Sequence, residues 1–284
     1  MSPRPAIVRT VADLRQQVAA WRAAGKRVAM VPTMGALHAG HLSLVRLGLE
    51  TCDHVVASIF VNPAQFAPHE DFDAYPRGEG RDAELLGAAG CGLIFAPGVE
   101  VMYPPGFATA VTVAGVSGPL EGEKRPQFFG GVATVVSKLL IQCGPDVALF
   151  GEKDYQQLLV IKRMARDLDL PVEIIGGPTV READGLAMSS RNAYLSAEER
   201  TVAAVVPAVM AEAVERLRAG AAVAEVEAAA VARLEAAGFG PVDYVQAHDG
   251  EAMERLGPGP VGTGARVFVA AWLGKTRLID NWAV

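Results

Sequence analysis

Two histidines three residues apart stand among glycines in the run Pro32-Thr33-Met34-Gly35-Ala36-Leu37-His38-Ala39-Gly40-His41. Residues at that spacing face the same way at the start of a helix. Gly35 and Gly40 allow a tight turn and close approach of the backbone to a ligand. The N–H groups at a helix start favour an anion. His38 and His41 therefore converge on a phosphate-sized negative group. A capped helix start with two solvated histidines is the alternative, and it suits a lone histidine better than this pair.

Three further groups have chemical potential. Gly151-Glu152-Lys153-Asp154 carries a compact positive charge suited to polyphosphate, or a surface lysine with a local carboxylate partner. Met188-Ser189-Ser190-Arg191, just after Gly185, offers two hydroxyls and a guanidinium, a phosphate clamp or an ordinary solvated loop. Gln65 and Gln157 are neutral amides able to donate to a carboxylate and accept from a hydroxyl, or plain surface amides. Asp82 suits a helix N-terminus through the dipole. His54, His69 and His248 have no companions and read as structural or solvated. Cys52, Cys91 and Cys143 form neither a CxxC pair nor a metal-ligand spacing, and so sparse a count fits a reducing compartment.

The elements that must position these residues follow from periodicity. Thr10 to Ala24 is a helix, with Thr10 and Asp13 as its capping pair and Val11, Leu14, Val18 and Trp21 on one face. Arg27 to Val31 is a short buried strand ending at Pro32. Helices are expected over His41–Thr51, Asp82–Ala89, Val132–Ile141 and Tyr155–Leu168. Strands are expected over Val55–Val61, Leu93–Phe95, Val147–Phe150 and Val172–Ile175. Continuous apolar strands alternating with helices imply a mostly parallel sheet with helices on both faces and right-handed crossovers. In such sheets ligands sit beyond the carboxyl ends of the strands. The His38–His41 loop and the Lys153 turn both occupy that position.

Composition shifts after about Thr179. Ala197–Ala219, opened by the capping pair Ser196 and Glu199, and Ala221–Ala237 read as two Ala-rich helices. Strand-like Val242–Ala247, Arg266–Leu273 and Arg277–Asp280 follow. The expected division is residues 1–178 as an α/β nucleotide domain and 179–284 as a smaller α+β domain. The 284 residues contain 51% hydrophobic and 20% charged residues, which excludes a disordered chain. A net charge of −6 without a basic block gives no nucleic-acid footprint. No apolar run approaches a membrane span, and MSPRPAIVRT lacks the apolar stretch of a signal peptide. A cytoplasmic location is the expectation.

Taken in order, PTMGALHAGH, SIFVNPAQF, DFDAYPR, GVATVVSKLL, GEKDYQQL and DGLAMSSRNAYLS resemble the pantoate–β-alanine ligase (pantothenate synthetase) family of the HxGH nucleotidylyl transferase superfamily. The resemblance runs from about residue 8 to the C-terminus and is dense between residues 30 and 195. It implies a Rossmann-like first domain and a smaller α+β domain that closes over the ATP site. It implies ATP contacts from Met34, Gly35, Ala36, Leu37, His38, Ala39, Gly40 and His41, and from Gly151, Glu152, Lys153 and Asp154. Met188, Ser189, Ser190 and Arg191 join them, and the backbone of Val180 receives the adenine. His38, His41 and Lys153 take the catalytic roles. Gln65 and Gln157 hold pantoate, and Gln65 also meets β-alanine. Mg²⁺ comes with ATP, with Asp82 roughly aligned to an acidic position near it. A homodimer is implied as well. One departure stands out: Arg125-Pro126-Gln127-Phe128-Phe129 places Phe128 where the family usually has histidine.

The implied reaction is attack of a pantoate carboxylate on the α-phosphorus of ATP, followed by attack of the β-alanine amine on the adenylate. Rival readings are another HxGH enzyme that transfers a nucleotidyl group to a phosphate or alcohol, and a non-catalytic nucleotide sensor. AMP as product separates the first rival, and pantoate-dependent pyrophosphate release separates the second. A tRNA synthetase is disfavoured by the acidic balance and by the lack of an anticodon-binding extension.

Overall fold

The structure is a computed structural model and describes residues 4–67 and 72–284. His69 lies outside the described residues. The chain divides into two compact units. The first comprises Met1–Ser117, Glu121–Glu152 and Gln157–Pro178; the second comprises Gly118–Leu120, Lys153–Gln156 and Thr179–Val284. A single cut after residue 178 is the sequence expectation, and the two short pieces transferred to the second unit are a feature of the contacts alone.

The first unit contains β1 (Ala6–Val8), α1 (Val11–Ala23), β2 (Val28–Thr33), α2 (Ala39–Thr51), β3 (His54–Ile59), α3 (Glu79–Ala88) and β4 (Leu93–Phe95). Short helices α4 (Val99–Met102) and α5 (Glu121–Lys124) precede α6 (Phe128–Cys143), β5 (Val147–Gly151), α7 (Tyr155–Asp167, its first two residues belonging to the second unit) and β6 (Glu173–Gly177). The six strands are parallel, in the order β1-β4-β3-β2-β5-β6. From β2 the chain steps through β3 to β4 on one side, then crosses back to β5 and β6 on the other. The carboxyl ends of β2 and β5 thus flank the point where strand order reverses, where open α/β sheets bind their ligands.

Helices cover both sheet faces. Ala29 and Val31 of β2 pack with Leu44 and Val45 of α2. The alternate residues of β2 point the other way, where α1 and α6 pack against that strand and against each other. Thr10 caps α1 as expected, accepting the Asp13 N–H at 3.1 Å. β2 runs past Pro32 to Thr33, one of several boundaries that differ from the sequence reading. Thr33 directs its carbonyl to Phe60 N–H on the β3 side. Pro32, one residue earlier, therefore faces β5, where pairing has already ended at Met30, and its missing N–H breaks no ladder bond. Helices α2, α3 and α6 begin two, three and four residues before the sequence expectation. β1, an exposed three-residue edge strand, has no periodic signal long enough to reveal it.

The second unit contains α8 (Ala197–Ala203), α9 (Val205–Arg218), α10 (Val223–Ala236), β7 (Val242–Asp249), β8 (Ala265–Leu273) and β9 (Thr276–Ala283). The last three form an antiparallel sheet in sequence order. The Ala197–Ala219 stretch, expected as one helix, is two. Pro207 has no N–H for the carbonyl of Ala203 and its ring clashes there, so the helix restarts at Ala204. No described helix is long and apolar enough to cross a membrane.

Candidate active site

The loop after β2 is held from beneath by Asp82. This carboxylate is 2% exposed, on the first turns of α3. Its Oδ2 accepts the N–H of Ala36 at 3.0 Å and its Oδ1 accepts that of Leu37 at 2.9 Å. Thr33 adds a second anchor: its hydroxyl donates to Ser58 O at 2.6 Å and accepts Gly35 N–H at 3.2 Å. The chain turns there with φ of +84° at Gly35 and +52° at Ala36. A Cβ on Gly35 would stand 3.0 Å from the Asp82 oxygen and 3.2 Å from Ile59. Only glycine combines that φ with that proximity. Ala36 and Leu37, expected beside the nucleotide, both lie in this turn. Their N–H groups face an internal carboxylate, and the Leu37 side chain is buried in the core. Met34 and Gly35 lie on the loop, and Ala39 and Gly40 open α2.

His38 is the N-cap of α2 rather than a residue ahead of it. Its Nδ1 accepts Gly40 N–H at 3.2 Å, and His41 Nδ1 accepts His38 N–H at 3.4 Å. The ring centroids are 4.2 Å apart. A ring nitrogen that accepts an N–H carries no proton, so this network assigns the neutral proton of both imidazoles to Nε2. Both histidines thus present a donor edge away from the backbone that orients them.

Gln65 is 9% exposed and ends the 3₁₀ turn that follows β3. Asn62, which sequence reasoning missed, sets its orientation. The Asn62 Oδ1 accepts Ala64 N–H at 3.2 Å, and its Nδ2 donates to Gly131 O at 3.2 Å. Two backbone groups of opposite polarity leave this amide one orientation. Its Nδ2 then also donates to Gln65 Oε1 at 3.1 Å, so Gln65 must turn its own NH₂ outward, 3.0 Å from Met34 Sδ. Tyr103, also missed, donates its hydroxyl to Asn62 Oδ1 at 2.7 Å. Burial pushes that phenol up to about 12, which keeps it a donor. Asn62 is 1% exposed, a burial that no local pattern in the sequence marks. Gln157 lies half-buried on α7.

Phe128 opens α6 with Arg125 stacked on it, guanidinium carbon 3.9 Å from the ring centroid. Arg125 in turn donates to the Gln65 carbonyl at 3.4 Å and stands 3.6 Å from Glu121. The position keeps an aromatic plane under the arginine and lacks the ring nitrogens of a histidine.

In the second unit, Lys153 lies two residues beyond β5, in a 3₁₀ turn, with its ammonium 3.7 Å from Asp154. Val180 accepts Met188 N–H at 2.9 Å, closing the turn that carries Ser189, Ser190 and Arg191. Ser189 caps a short 3₁₀ helix by accepting Arg191 N–H at 3.3 Å. His248 is 1% exposed, between Met253 O and Gln246, and His54 stacks on Trp21; both are structural, as expected.

Among the described residues no three or more His, Cys, Asp or Glu side chains gather as a metal site. Each oxygen of Asp82 is engaged by a loop N–H. Asp82→Asn should therefore weaken ATP binding, because an NH₂ would then oppose a backbone N–H, a fault costing about 1–3 kcal/mol. Calorimetry in excess Mg²⁺ is the check: a metal ligand would be rescued by the ion, whereas a loop anchor would not.

The chain is similar to known proteins over nearly its whole length. The family model for Pantoate-beta-alanine ligase matches residues 6–283. A pantothenate synthetase of Caulobacter vibrioides is 65% identical over 281 residues, 99% of each chain. The crystal structure of pantothenate synthetase from Thermus thermophilus is 48% identical, with a TM-score of 0.90 over 98% of this chain and 99% of that one. A pantoate–β-alanine ligase from Francisella tularensis, complexed with an ATP ligand and β-alanine, is 31% identical, with a TM-score of 0.81 over 98% and 97% of the two chains. With the family model matched over nearly its whole length and relatives of this identity covering it end to end, the chain belongs to the pantoate–β-alanine ligase family.

Proposed function

We propose that the protein joins pantoate to β-alanine, using ATP and releasing AMP and pyrophosphate. The observation that carries this reading is the pair of backbone-oriented imidazoles at the start of α2, beside the point where strand order reverses. Their Nε2–H edges are donors for phosphoryl oxygens. A pantoate carboxylate oxygen attacks the α-phosphorus, and the bond to the bridging oxygen of the β-phosphate breaks. Pyrophosphate leaves and pantoyl adenylate remains. The β-alanine nitrogen then attacks the acyl carbon, the bond to AMP oxygen breaks, and the amine proton is lost to solvent.

In the first step negative charge grows on oxygens around the α-phosphorus, and fixed donors aimed there lower the barrier. His38 and His41 are assigned that role, with Lys153, Ser190 and Arg191 as further donors to the phosphates. The N–H of Gly40 is engaged by His38. Gln65 and Gln157 take pantoate. The NH₂ of Gln65, fixed outward by Asn62, suits a carboxylate. Covalent catalysis by cysteine has no support: burial pushes the thiols of Cys91 and Cys143 up to about 11 and about 12. Mg²⁺ enters with the ATP, on its phosphates. A homodimer and a cytoplasmic location go with this reading through family membership.

The test is AMP formation with ATP, pantoate and β-alanine, omitting each in turn. AMP should require all three, and pyrophosphate release should require only ATP and pantoate.

Variants resolve the roles. Gln65→Ala and Gln157→Ala leave an anionic substrate oxygen unpaired, and kcat/KM for pantoate should fall roughly tenfold or more. ATP affinity measured by calorimetry should change little; an equal loss there would contradict the assignment. His41→Ala and Lys153→Ala should each lower single-turnover adenylate formation by on the order of 10²–10³, with circular dichroism confirming the fold. A folded His41→Ala variant within about threefold of the parent rate would return the loop to a simple helix cap.

A further inference from the structure

We infer that Asp280 and Asn281, adjacent on β9, are positioning residues that hold two separate phosphate-handling segments of the second unit at fixed settings. The inference rests on the reading above that Lys153 and the Ser189–Arg191 turn meet the phosphates of ATP. Successive residues of a strand point to opposite faces, and here each face holds one segment. Asp280 is 3% exposed. It takes Arg181 in a two-pronged ion pair, 2.7 Å from Nη1 to Oδ2 and 3.0 Å from Nη2 to Oδ1. Trp282 Nε1 donates to the same Oδ2 at 3.0 Å, and the Arg181 guanidinium lies 4.7 Å from the Trp282 ring centroid. Arg181 also donates to Gly185 O at 3.0 Å and forms an antiparallel bridge with Ala187. It therefore ties the base of the turn from Val180 to Met188 to β9. Asn192 Nδ2 closes the other end of that turn on Glu182 and on Ala187 O, at 2.8 and 3.1 Å.

On the opposite face Asn281, 4% exposed, donates Nδ2 to the carbonyl of Lys153 at 2.8 Å. Its Oδ1 accepts from Arg266, whose guanidinium carbon lies 3.7 Å from the ring centroid of Tyr155. Arg266 is only a donor and the Lys153 carbonyl only an acceptor, so the Asn281 amide has a single orientation. Gln156 secures the far end of the same segment by donating to Pro119 O at 2.7 Å. Lys153 is a flexible four-carbon stem; what fixes where its ammonium can reach is the setting of its backbone. Neither β9 residue would touch substrate. Each acts through another group, and misplacement by a fraction of an ångström is enough to slow a step that depends on aligned donors.

A double-mutant cycle tests this. Single-turnover pyrophosphate release from ATP and pantoate is measured for Asn281→Ala in the parent and in Lys153→Ala. Asn281→Asp, isosteric but unable to donate, replaces the alanine variant if that one does not fold. If Asn281 acts through Lys153, its substitution should cost about tenfold or more in the parent and less than about twofold once Lys153 is gone. Asp280→Asn against Arg191→Ala should show the same non-additivity. Losses that differ by less than about fivefold between backgrounds would make the pair ordinary fold residues and overturn the inference. Failure of both Asn281 variants to fold would do the same. A parent-like rate for Lys153→Ala alone would instead remove the phosphate reading on which the inference stands, and the cycle reports that result separately.

Discussion

A buried carboxylate, Asp82, holds two successive N–H groups of the loop after β2, and the chemistry of the first unit depends on that pair of bonds. Ala36 is not glycine, yet it sits at φ +52°. A non-glycine residue there is unfavourable unless its surroundings hold it. Charge-assisted hydrogen bonds to a carboxylate are the stronger kind. They hold the loop so that His38 falls at the N-cap of α2 and His41 one turn inside it. Both imidazoles are then oriented by backbone N–H groups, and their protonated edges follow. Without the carboxylate, two N–H groups would be left unpaired in a buried turn, an arrangement native structures avoid.

The same device recurs at other positions. Asn62 is oriented by one backbone donor and one backbone acceptor, and it passes that orientation to Gln65. Asn281 is oriented by an arginine and a carbonyl, and it holds Lys153. In each case a polar side chain with fixed partners turns an interchangeable amide into a directional one. Close approach of main chains supports the first of these. Gly131 of α6 lies so near the turn at Ala64 and Gln65 that a Cβ there would stand 2.3 Å from the Ala64 carbonyl oxygen. The glycine lets its own carbonyl reach Asn62.

Much of this was legible in the chain. The strand-to-helix run from Pro32 to His41 combines an apolar strand, two glycines and two histidines at one-turn spacing, all local signals. The alternating strands and helices announced a covered parallel sheet because buried strands are continuous apolar runs. Other features resisted reading. The division of Ala197–Ala219 turned on a single proline that an Ala-rich background masks. The first strand is three residues long and gains its identity from pairing with β4.

What the sequence alone determined was which residues have chemistry to offer and on which kind of element each stands, since periodicity, capping and turn preferences act within a few residues. Tertiary structure decided which of them are held and by what. Asp82 reaches a loop some 45 residues before it, Tyr103 reaches Asn62 across 41 residues, and Asn281 reaches Lys153 across 128. No local pattern encodes those partners. Each pairing exists because folding removes water from a polar group, and a buried polar group must then find whatever donor or acceptor the assembled elements bring beside it.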